Sequence, residues 1–218
     1  MIIAAYNESA VLGRVLSDVL HRGYRVLVID DGSRDATREV ALRSGATVVR
    51  HPVNLGQGAA LQTGIDYALA HGADVIVTYD ADGQHRASDI EGLLAAIEQE
   101  HAEFALGSRI RGRSTIPPAK RLVLQAATAF TRLTTGLRIT DTHNGLRAMT
   151  RRGAAAIQLR QNRMAHASEI LTQIAKSGLR YVEVPVTVDY TAYSMAKGQR
   201  IADAVMILLD LFVGKLYR

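Results

Sequence analysis

Short apolar runs alternate with amphipathic stretches up to about residue 108 of the chain. The runs MIIAAY, RVLVID, GATVVRH, ADVIVTYD and EFALGSR are rich in branched residues, which predicts buried β-strands. The segments between them, among them ATREVALRSG, GAALQTGIDYALAHG and ASDIEGLLAAIEQEH, carry apolar residues at helical spacing. This alternation predicts the α/β fold class, with a mostly parallel, Rossmann-like sheet covered by helices on both faces.

The pattern changes after residue 108. A basic, proline-interrupted loop, RIRGRSTIPPAKR, precedes an amphipathic helix over about 120–135, and ITDTHNGLRAMTR is typical of a loop entering a strand. A helix around 168–177 and a strand in RYVEVPVTVDY are expected next. We therefore predict one globular domain over residues 1–198 and a C-terminal amphipathic helix over 199–218.

The predicted C-terminal helix has one apolar stripe, formed by Ile201, Val205, Leu208, Phe212 and Leu216. The stripe suits a helix lying in a membrane interface, and it equally suits a core or dimerisation helix. No apolar run reaches the ~18–20 residues that span a bilayer, and MIIAAYNE lacks the features of a signal peptide. The expectation is a cytoplasmic protein, with peripheral attachment to the cytoplasmic membrane face as an option.

Charge is distributed unevenly along the chain. Residues 1–108 carry 8 Lys/Arg against 15 Asp/Glu, whereas residues 109–218 carry 18 against 6. The basic second half is expected to meet an anionic partner, either a phospholipid surface or a phosphorylated substrate. Aromatic residues make up only 5% of the chain and no nucleic-acid-binding motif occurs, so nucleic acid is not an expected partner. The chain has no cysteine, which excludes disulfides and thiolate chemistry.

Two carboxylates lie one residue apart at the end of the fourth predicted strand. Asp80 and Asp82 share a face of an extended chain, and Gly83 allows the chain to curl and bring them closer. Mg²⁺ and Mn²⁺ bind one or two carboxylates and complete their shell with water and substrate phosphates. The motif predicts either a polar turn or a metal–diphosphate site to which Gln84 or His85 could add a ligand.

A second acidic pair ends the second predicted strand, in VIDDGSRDAT. Ser33 or Asp35 can cap the following helix, but capping leaves Asp30 and Asp31 unexplained. Carboxylates at this end of a strand can accept hydrogen bonds from a nucleotide base or ribose, because ligands of such sheets bind beyond the carboxyl ends of the strands. The pair therefore indicates a nucleotide site.

Two further features suit phosphate. NLGQGAA places glycines at the start of a helix, which permits close approach of an anion or simply a loop-to-helix turn. GSRIRGR and HNGLRAMTRR concentrate guanidinium groups, which form bidentate hydrogen bonds to phosphate. Most of these arginines are expected to be solvated, and Arg109, directly after a strand, is the strongest candidate for a phosphate contact.

Taken in order, AAYNE, VIDDGSRD, NLGQGAA, YDADGQH, GSR and TDTHNGLRA resemble the motifs of the family 2 glycosyltransferases of the GT-A fold. Within that family, the chain is most similar to the dolichyl- or polyprenyl-phosphate sugar transferases. The resemblance extends from residue 2 to about residue 197. Its last part, YSMAKGQR, looks like the family's acceptor-side loop, with Lys197 and Arg200 as candidates for binding phosphate.

The resemblance implies roles for individual residues. The nucleotide part of the donor would lie against Tyr6, Glu8, Asp31 and Ala81, with Asp31 at the base and Arg109 against phosphate. The divalent metal, Mg²⁺ or Mn²⁺, would be held by Asp80, Asp82 and Gln84. Catalysis would depend on Asp82, Arg109 and Asp141.

The sequence departs from the family pattern at a few positions. Ala4 stands where a proline is usual, and Gln57 stands where a lysine is frequent. DTHNGLR replaces the usual D-x-x-S-G-F-R, with Asn144 and Leu146 as the substituted residues, while Asp141 matches.

The implied reaction is metal-dependent transfer of a sugar from a nucleotide-diphosphate sugar to a polyprenyl- or dolichyl-phosphate lipid, with room for a small membrane partner. The alternative acceptor is a glycan hydroxyl in polysaccharide or cell-envelope synthesis, for which Asp141 is the first candidate base. A non-catalytic nucleotide-binding module is a third hypothesis. A sugar-1-phosphate nucleotidylyltransferase would need a glycine-rich basic loop after the first strand, which AAYNESA lacks.

Overall fold

The computed structural model describes residues 1–162 and 165–190, with the backbone alone at residues 119 and 120. Within these residues the strands are β1 (Ile2–Ala5), β2 (Leu27–Asp30), β3 (Thr47–Arg50), β4 (Val75–Asp80), β5 (Phe104–Ser108), β6 (Arg147–Thr150) and β7 (Tyr181–Pro185). The helices are α1 (Ser9–Leu20), α2 (Thr37–Arg43), α3 (Gln57–Ala70), α4 (Asp89–Gln99), α5 (Pro118–Thr135), α6 (Arg151–Ala155) and α7 (His166–Ser177).

The strands and helices predicted within the described residues are confirmed. The short helix α6 was not predicted, and β7 ends at Pro185, so the rest of the apolar run VPVTVDY is not part of this strand. The predicted C-terminal helix, the domain boundary at residue 198, and the candidates Lys197 and Arg200 lie outside the described residues. No helix within the described ranges combines the length and apolarity that a bilayer crossing needs.

The described strands form one seven-stranded sheet in the order β3-β2-β1-β4-β6-β5-β7. β6 runs antiparallel to both of its neighbours, whereas the other pairs are parallel. Strands β2 and β3 lie on one side of β1 and strands β4 to β7 lie on the other, so the direction of winding reverses at β1. Ligands of open α/β sheets bind at such a reversal, beyond the carboxyl ends of the strands.

Apolar side chains cover both faces of the sheet. One cluster joins Ile3 and Val28 to helices α1 and α4, and the other joins Ile2 and Ile29 to helices α3 and α7. Neighbouring residues of a strand point to opposite faces, which is why Ile2 and Ile3 belong to different clusters. The predicted two-sided burial of the sheet is confirmed.

Helix α3 approaches the sheet closely at Gly64. A Cβ atom at this position would lie 2.4 Å from Cγ2 of the buried Ile2 side chain. A glycine inside a helix ordinarily lowers stability relative to alanine. We attribute its presence at position 64 to the lack of room for a side chain between α3 and Ile2.

We expect Gly64→Ala to lower the free energy of unfolding by about 1–3 kcal/mol, because the added methyl overpacks the contact with Ile2. The matched control is Gly13→Ala in α1, where the new Cβ would meet Val40 at an ordinary 3.5 Å. The control should gain about 0.5–1 kcal/mol from the better helix propensity of alanine. Thermal unfolding of both variants measures the difference, and a stabilised Gly64→Ala protein would contradict the packing argument.

Candidate active site

The loops that follow β1 and β2 are joined by hydrogen bonds. The Asn7 N–H donates to Ser33 Oγ at 2.9 Å, and the Arg34 N–H donates back to Asn7 Oδ1 at 2.9 Å. The Glu8 N–H donates to Thr37 Oγ1 at 2.8 Å. Asn7 has a φ of 53°, a left-handed conformation that asparagine tolerates better than most residues. The two loops therefore form one unit, in which Glu8 is buried.

The side-chain cap predicted for the helix after β2 is not formed, because the N-cap residue of α2 is Ala36. Asp35, one residue earlier, closes the turn that leads into α2. Its carboxylate accepts from the backbone N–H of Thr37, the first residue of α2, at 3.0 Å, and from Ser9 Oγ at 2.7 Å. Ser33, the other candidate, binds Asn7 instead. Tyr6 is 38% exposed, which leaves part of its ring open to solvent at the end of β1.

Asp31 is buried and accepts four hydrogen bonds. The donors to its carboxylate are His51 Nδ1, Asn54 Nδ2 and the backbone N–H groups of Leu55 and Gly56, at 2.7–2.9 Å. Asp31 thus ties the end of β2 to the segment that enters α3. In the preceding residue, Asp30, Oδ1 accepts from the Ser33 N–H at 2.9 Å and Oδ2 lies 3.2 Å from Arg50 Nε.

Asp80 lies among groups that favour its charged form. His85 Nε2 is 3.0 Å from Asp80 Oδ2, and Gln57 Nε2 donates to Asp80 Oδ1 at 3.2 Å. Burial raises the pKa of the Asp80 carboxyl, but His85, with the charges of Arg147 and His166, outweighs burial, so the pKa lies below its ordinary value.

Gly145 packs directly on the Asp80 carboxylate. A Cβ atom on Gly145 would lie 2.1 Å from Asp80 Oδ2. Only a glycine at position 145 therefore leaves room for the Asp80 carboxylate. The Thr78 hydroxyl donates to the Gly145 carbonyl at 2.7 Å, which holds the loop before β6 against β4.

Asp82 has fewer partners among the described residues. Its Oδ1 accepts from the Gln84 N–H at 3.0 Å. Burial, followed by the negative charge of Asp80, raises the pKa of the Asp82 carboxyl to about 6. Ala81, between the two acids, is buried in the core cluster beneath, so only its backbone can face a ligand.

The donor set suits a hard divalent cation that is bound together with a phosphate ligand. Asp80 and Asp82 supply carboxylate oxygens and Gln84 an amide oxygen, which is the chemistry that Mg²⁺ and Mn²⁺ prefer. Within the described ranges, no three His, Cys, Asp or Glu side chains are grouped so that they could hold a metal ion by themselves. Two acids and an amide leave an octahedral shell incomplete, so the chain fits a metal whose remaining ligands come from substrate and water.

Arg109 and Asp141 form a buried ion pair. Arg109 Nε lies 2.6 Å from Asp141 Oδ2, and the side chains are 7% and 0% exposed. The Arg109 backbone N–H also donates to Asp141 Oδ2, and the His143 N–H donates to Oδ1. Burial lowers the pKa of the Arg109 guanidinium, but the Asp141 charge and the Tyr190 hydroxyl outweigh it and the net pKa is raised. The structure therefore joins two predicted catalytic residues to each other.

Several residues near the predicted site were not singled out from the sequence. Arg147, the first residue of β6, is buried, and the charges that act on it include those of Asp80 and Asp141. Arg147 is part of the arginine-rich motif HNGLRAMTRR, but the sequence singled out Arg109 as the candidate for a phosphate contact. His51 carried no signal of its own, because its partners Asp31 and Thr63 are distant in sequence.

His166 and His143 are two further residues near the predicted site that were not singled out from the sequence. His166, the first residue of α7, is buried beside Gly58, and its charge acts on Asp80. Only the packing of α7 against α3 brings it near the acidic motif. Burial lowers the pKa of the His143 imidazole to about 4, which keeps this ring neutral at physiological pH.

Comparison with known proteins identifies the family. The sequence pattern described as Glycosyl transferase family 2 matches residues 1–157. The chain belongs to this family and is a glycosyltransferase, as its motif order indicated. It also resembles relatives along nearly its whole length.

Two curated relatives transfer sugars to lipid carriers, as their names state. The chain is 31% identical over 239 residues to the UDP-N-acetylglucosamine--dolichyl-phosphate N-acetylglucosaminyltransferase of Methanococcus voltae, covering 99% of this chain and 95% of the relative. It is 33% identical over 221 residues to the polyprenol monophosphomannose synthase of Mycolicibacterium smegmatis, covering 94% and 83%.

The fold has a counterpart among solved structures. Glucosyl-3-phosphoglycerate synthase from Mycobacterium tuberculosis, solved with Mn²⁺ and UDP-glucose, superposes with a TM-score of 0.76. The match covers 99% of this chain and 77% of the other, at 18% identity. This likeness confirms the predicted GT-A architecture of the chain.

We expect Asp82→Asn to stabilise the metal-free protein above pH 6. The folded state holds the Asp82 proton with a pKa of about 6, against 3.8 ordinarily, so the free energy of unfolding falls as the pH rises from 3.8 to 6 and the full cost is present above pH 6. As the pH falls from 6 towards 3.8, this cost disappears. Melting temperatures with a chelator should therefore rise by several degrees at pH 7.5 and stay unchanged at pH 4.

The control for this measurement is Asp66→Asn, which removes an exposed carboxylate on α3. It should change the melting temperature little at either pH. An equal rise in the melting temperature of Asp82→Asn at both pH values would show that the rise does not come from removal of the Asp82 charge.

We expect Asp141→Asn to lower the free energy of unfolding by about 3 kcal/mol, because it leaves the buried Arg109 guanidinium without a counter-charge. Asp189→Asn is the matched control, since it breaks the exposed Arg86–Asp189 pair, whose effect should stay below about 1 kcal/mol. Chemical denaturation measures both. Equal, small losses would show that the buried pair contributes no more than the exposed one.

Proposed function

We propose that the protein transfers a sugar from a nucleoside-diphosphate sugar to a polyprenyl- or dolichyl-phosphate lipid, in a reaction that requires a divalent metal. The observation that carries the proposal is the pairing of Asp80 and Asp82 at the winding reversal of the sheet, with the buried Arg147 close enough for its charge to act on Asp80. The names of the Methanococcus and Mycolicibacterium relatives support the lipid-phosphate acceptor.

The donor nucleotide is assigned to the loops after β1 and β2. Tyr6 offers an exposed ring, Glu8 and Asp31 offer polar groups at the strand ends, and Ala81 offers its backbone. These loops are tied together by the Asn7–Ser33 hydrogen bond, so their geometry is fixed before the donor binds. Loops that are tied together in this way lose little conformational entropy when a ligand binds.

The diphosphate is assigned to the acidic motif, through a metal held by Asp80, Asp82 and Gln84. The bound metal would neutralise the charge that develops on the leaving nucleoside diphosphate. Asp80 is kept ionised by its neighbours, and a bound cation would offset the unfavourable negative charge of Asp82. The Mn²⁺ in the Mycobacterium tuberculosis synthase agrees with this assignment.

The acceptor phosphate is assigned to the basic side of the site. A lipid phosphate is already an anion and needs no strong general base. The Asp141 oxygens accept N–H groups of Arg109 and His143, which makes Asp141 better suited to fixing Arg109 than to taking a proton from a hydroxyl. This arrangement favours a phosphate as the acceptor over a glycan hydroxyl. We assign the contact with the acceptor phosphate to Arg109.

The basic second half of the chain also suits an anionic membrane surface, where the lipid acceptor would be found. We therefore propose peripheral attachment to the cytoplasmic membrane face. No described residue argues for a small membrane partner.

The reaction can be tested with purified protein, a panel of UDP- and GDP-sugars, Mn²⁺ or Mg²⁺, and polyprenyl phosphate as acceptor. Transfer should disappear with a chelator and fall by on the order of 10²–10³-fold in Asp82→Asn, because charge on the leaving group is no longer neutralised. Wild-type turnover by Asp80→Asn and Asp82→Asn in chelator would refute the metal-dependent reaction.

Polyprenol, which lacks the phosphate, is the matched control acceptor. The proposal expects no transfer to it. Transfer to polyprenol or to a glycan at the rate seen with polyprenyl phosphate would favour the hydroxyl acceptor instead. Binding of nucleoside diphosphate with no transfer or donor hydrolysis under any condition would favour a non-catalytic nucleotide-binding module.

A further inference from the structure

Helix α5 turns an apolar row of side chains outward. Among the large apolar side chains of the described residues, Leu133 and Leu122 are the most exposed, at 87% and 69%. Ala126 and Ala129 lie between them in the sequence and are also exposed. The spacing of these four positions places them within an arc of about 60° on a helix that turns about 100° per residue. We name this exposed row, Leu122, Ala126, Ala129 and Leu133, the α5 stripe.

The opposite face of α5 packs into the protein. Leu124, Ala127, Thr128 and Thr131 are buried on that face, and the helix contacts α7. A surface helix ordinarily buries its apolar side and presents polar residues to water. The packing of α5 therefore leaves the α5 stripe unexplained, and contiguous exposed apolar groups of this kind mark a surface that contacts a partner or a membrane.

The chain around the α5 stripe is basic throughout. Residues 109–140 contain no Asp/Glu and seven Lys/Arg, at positions 109, 111, 113, 120, 121, 132 and 138. Arg113, Arg121 and Arg138 are exposed, and none of them forms an ion pair with an acidic side chain of the described residues. Exposed leucines flanked by such arginines suit a bilayer that contains anionic lipids, because the bilayer accepts the apolar groups and attracts the cations.

Helix α5 lies in the chain between the two residues of the buried ion pair. Arg109 precedes the helix and Asp141 follows it. On the way to Asp141, the Ile139 carbonyl accepts from Arg132 Nε of the helix at 2.5 Å. The helix is therefore fixed against the segment that carries Asp141, so the α5 stripe has a set orientation relative to the pair.

We propose that the α5 stripe and the exposed arginines around it form the surface by which the protein lies on an anionic lipid bilayer. Docking through this surface keeps the start of α5, and the loop that joins it to Arg109, at the membrane. The phosphate of a polyprenyl lipid is found at the same depth. This inference rests on the proposed function in one respect, the lipid acceptor assigned to Arg109, whereas binding to the bilayer itself needs neither donor nor acceptor.

A single tryptophan can report on the α5 stripe, because the chain contains none. In the full chain, fluorescence of Leu133→Trp should shift to shorter wavelength on addition of vesicles of phosphatidylcholine and phosphatidylglycerol, and brominated acyl chains should quench it. The control is Leu42→Trp on α2, where the leucine is 47% exposed. Its spectrum should not change. A Leu133→Trp spectrum that vesicles leave unchanged would overturn the proposal.

Co-sedimentation with the same vesicles measures the contribution of the leucines. Leu122→Gln and Leu133→Gln should each lower the partition into anionic vesicles about tenfold, as expected for an apolar side chain that no longer leaves water. Leu42→Gln should leave the partition unchanged. Binding of the Leu122→Gln/Leu133→Gln double variant at the wild-type level would place the lipid contact elsewhere and refute the α5 stripe as the docking surface.

The arginines make a separate prediction. Arg121→Gln and Arg138→Gln should each weaken binding to anionic vesicles about fivefold at low salt, as expected for one basic residue near a negative membrane surface. High salt and vesicles of phosphatidylcholine alone should weaken binding of the wild type, because both reduce the attraction between the arginines and the surface. Equal binding to neutral and anionic vesicles would contradict the anionic bilayer as the occupant.

Two other occupants of the α5 stripe would give different results. If a second copy of the chain covered it, the wild type would sediment as an oligomer and the Leu122→Gln/Leu133→Gln variant as a monomer. If residues 199–218 covered it, the same variant would lose stability in thermal unfolding and bind vesicles as the wild type does. The bilayer proposal expects unchanged sedimentation and an unchanged melting temperature without lipid, so either other result would overturn it.

Activity separates this inference from the proposed function. The Leu122→Gln/Leu133→Gln variant should transfer less sugar to polyprenyl phosphate in vesicles and as much as the wild type to a short, water-soluble isoprenyl phosphate. Equal losses with both acceptors would show that α5 acts on the crevice, against the docking role. A wild type that binds vesicles through the α5 stripe but transfers no sugar would refute the proposed function and leave the docking surface standing.

Discussion

The central constraint on this structure is the place of β1 between β2 and β4. Register sets Ala5 level with Asp30 of β2 and Ala4 level with Asp80 of β4. Two acidic strand ends therefore flank a crevice whose position is fixed by the backbone hydrogen bonds of the sheet. The loops, the buried charges and the candidate metal site are arranged around that crevice, and none of them could keep its geometry if the winding did not reverse there.

Carboxylates play two contrasting parts around the crevice. Asp31, Asp35 and Asp141 accept backbone N–H groups and hold loops in place, so each stiffens a segment that has no regular secondary structure. Asp82 instead carries a charge that burial and Asp80 make unfavourable. A site prepared for a cation keeps this electrostatic cost in the free protein, which is the usual relation between function and stability in active sites.

The sequence predicted the sheet well because its strands are continuous apolar runs and its helices carry a clear periodicity. Asp80, Asp82 and Gln84 could be found because they are adjacent in sequence and follow a strand. The contacts of Asp31 with His51, of Arg109 with Asp141 and of Asp80 with Gln57 could not, because each joins residues more than 15 positions apart. Motif order indicated which residues gather at the crevice, whereas the hydrogen-bond partners depended on packing.

The antiparallel direction of β6 has an evolutionary consequence. In the parallel strands the chain reaches the crevice as the strand ends, but in β6 it is the segment before the strand, residues 141–146, that lies there, with Gly145 against Asp80. The far end of β6 leads away into α6. Insertions after β6 can therefore accumulate without touching the crevice, while a single residue gained or lost before it would shift Gly145 off Asp80. Lineages of this chain should vary in length on one side of β6 and keep it constant on the other.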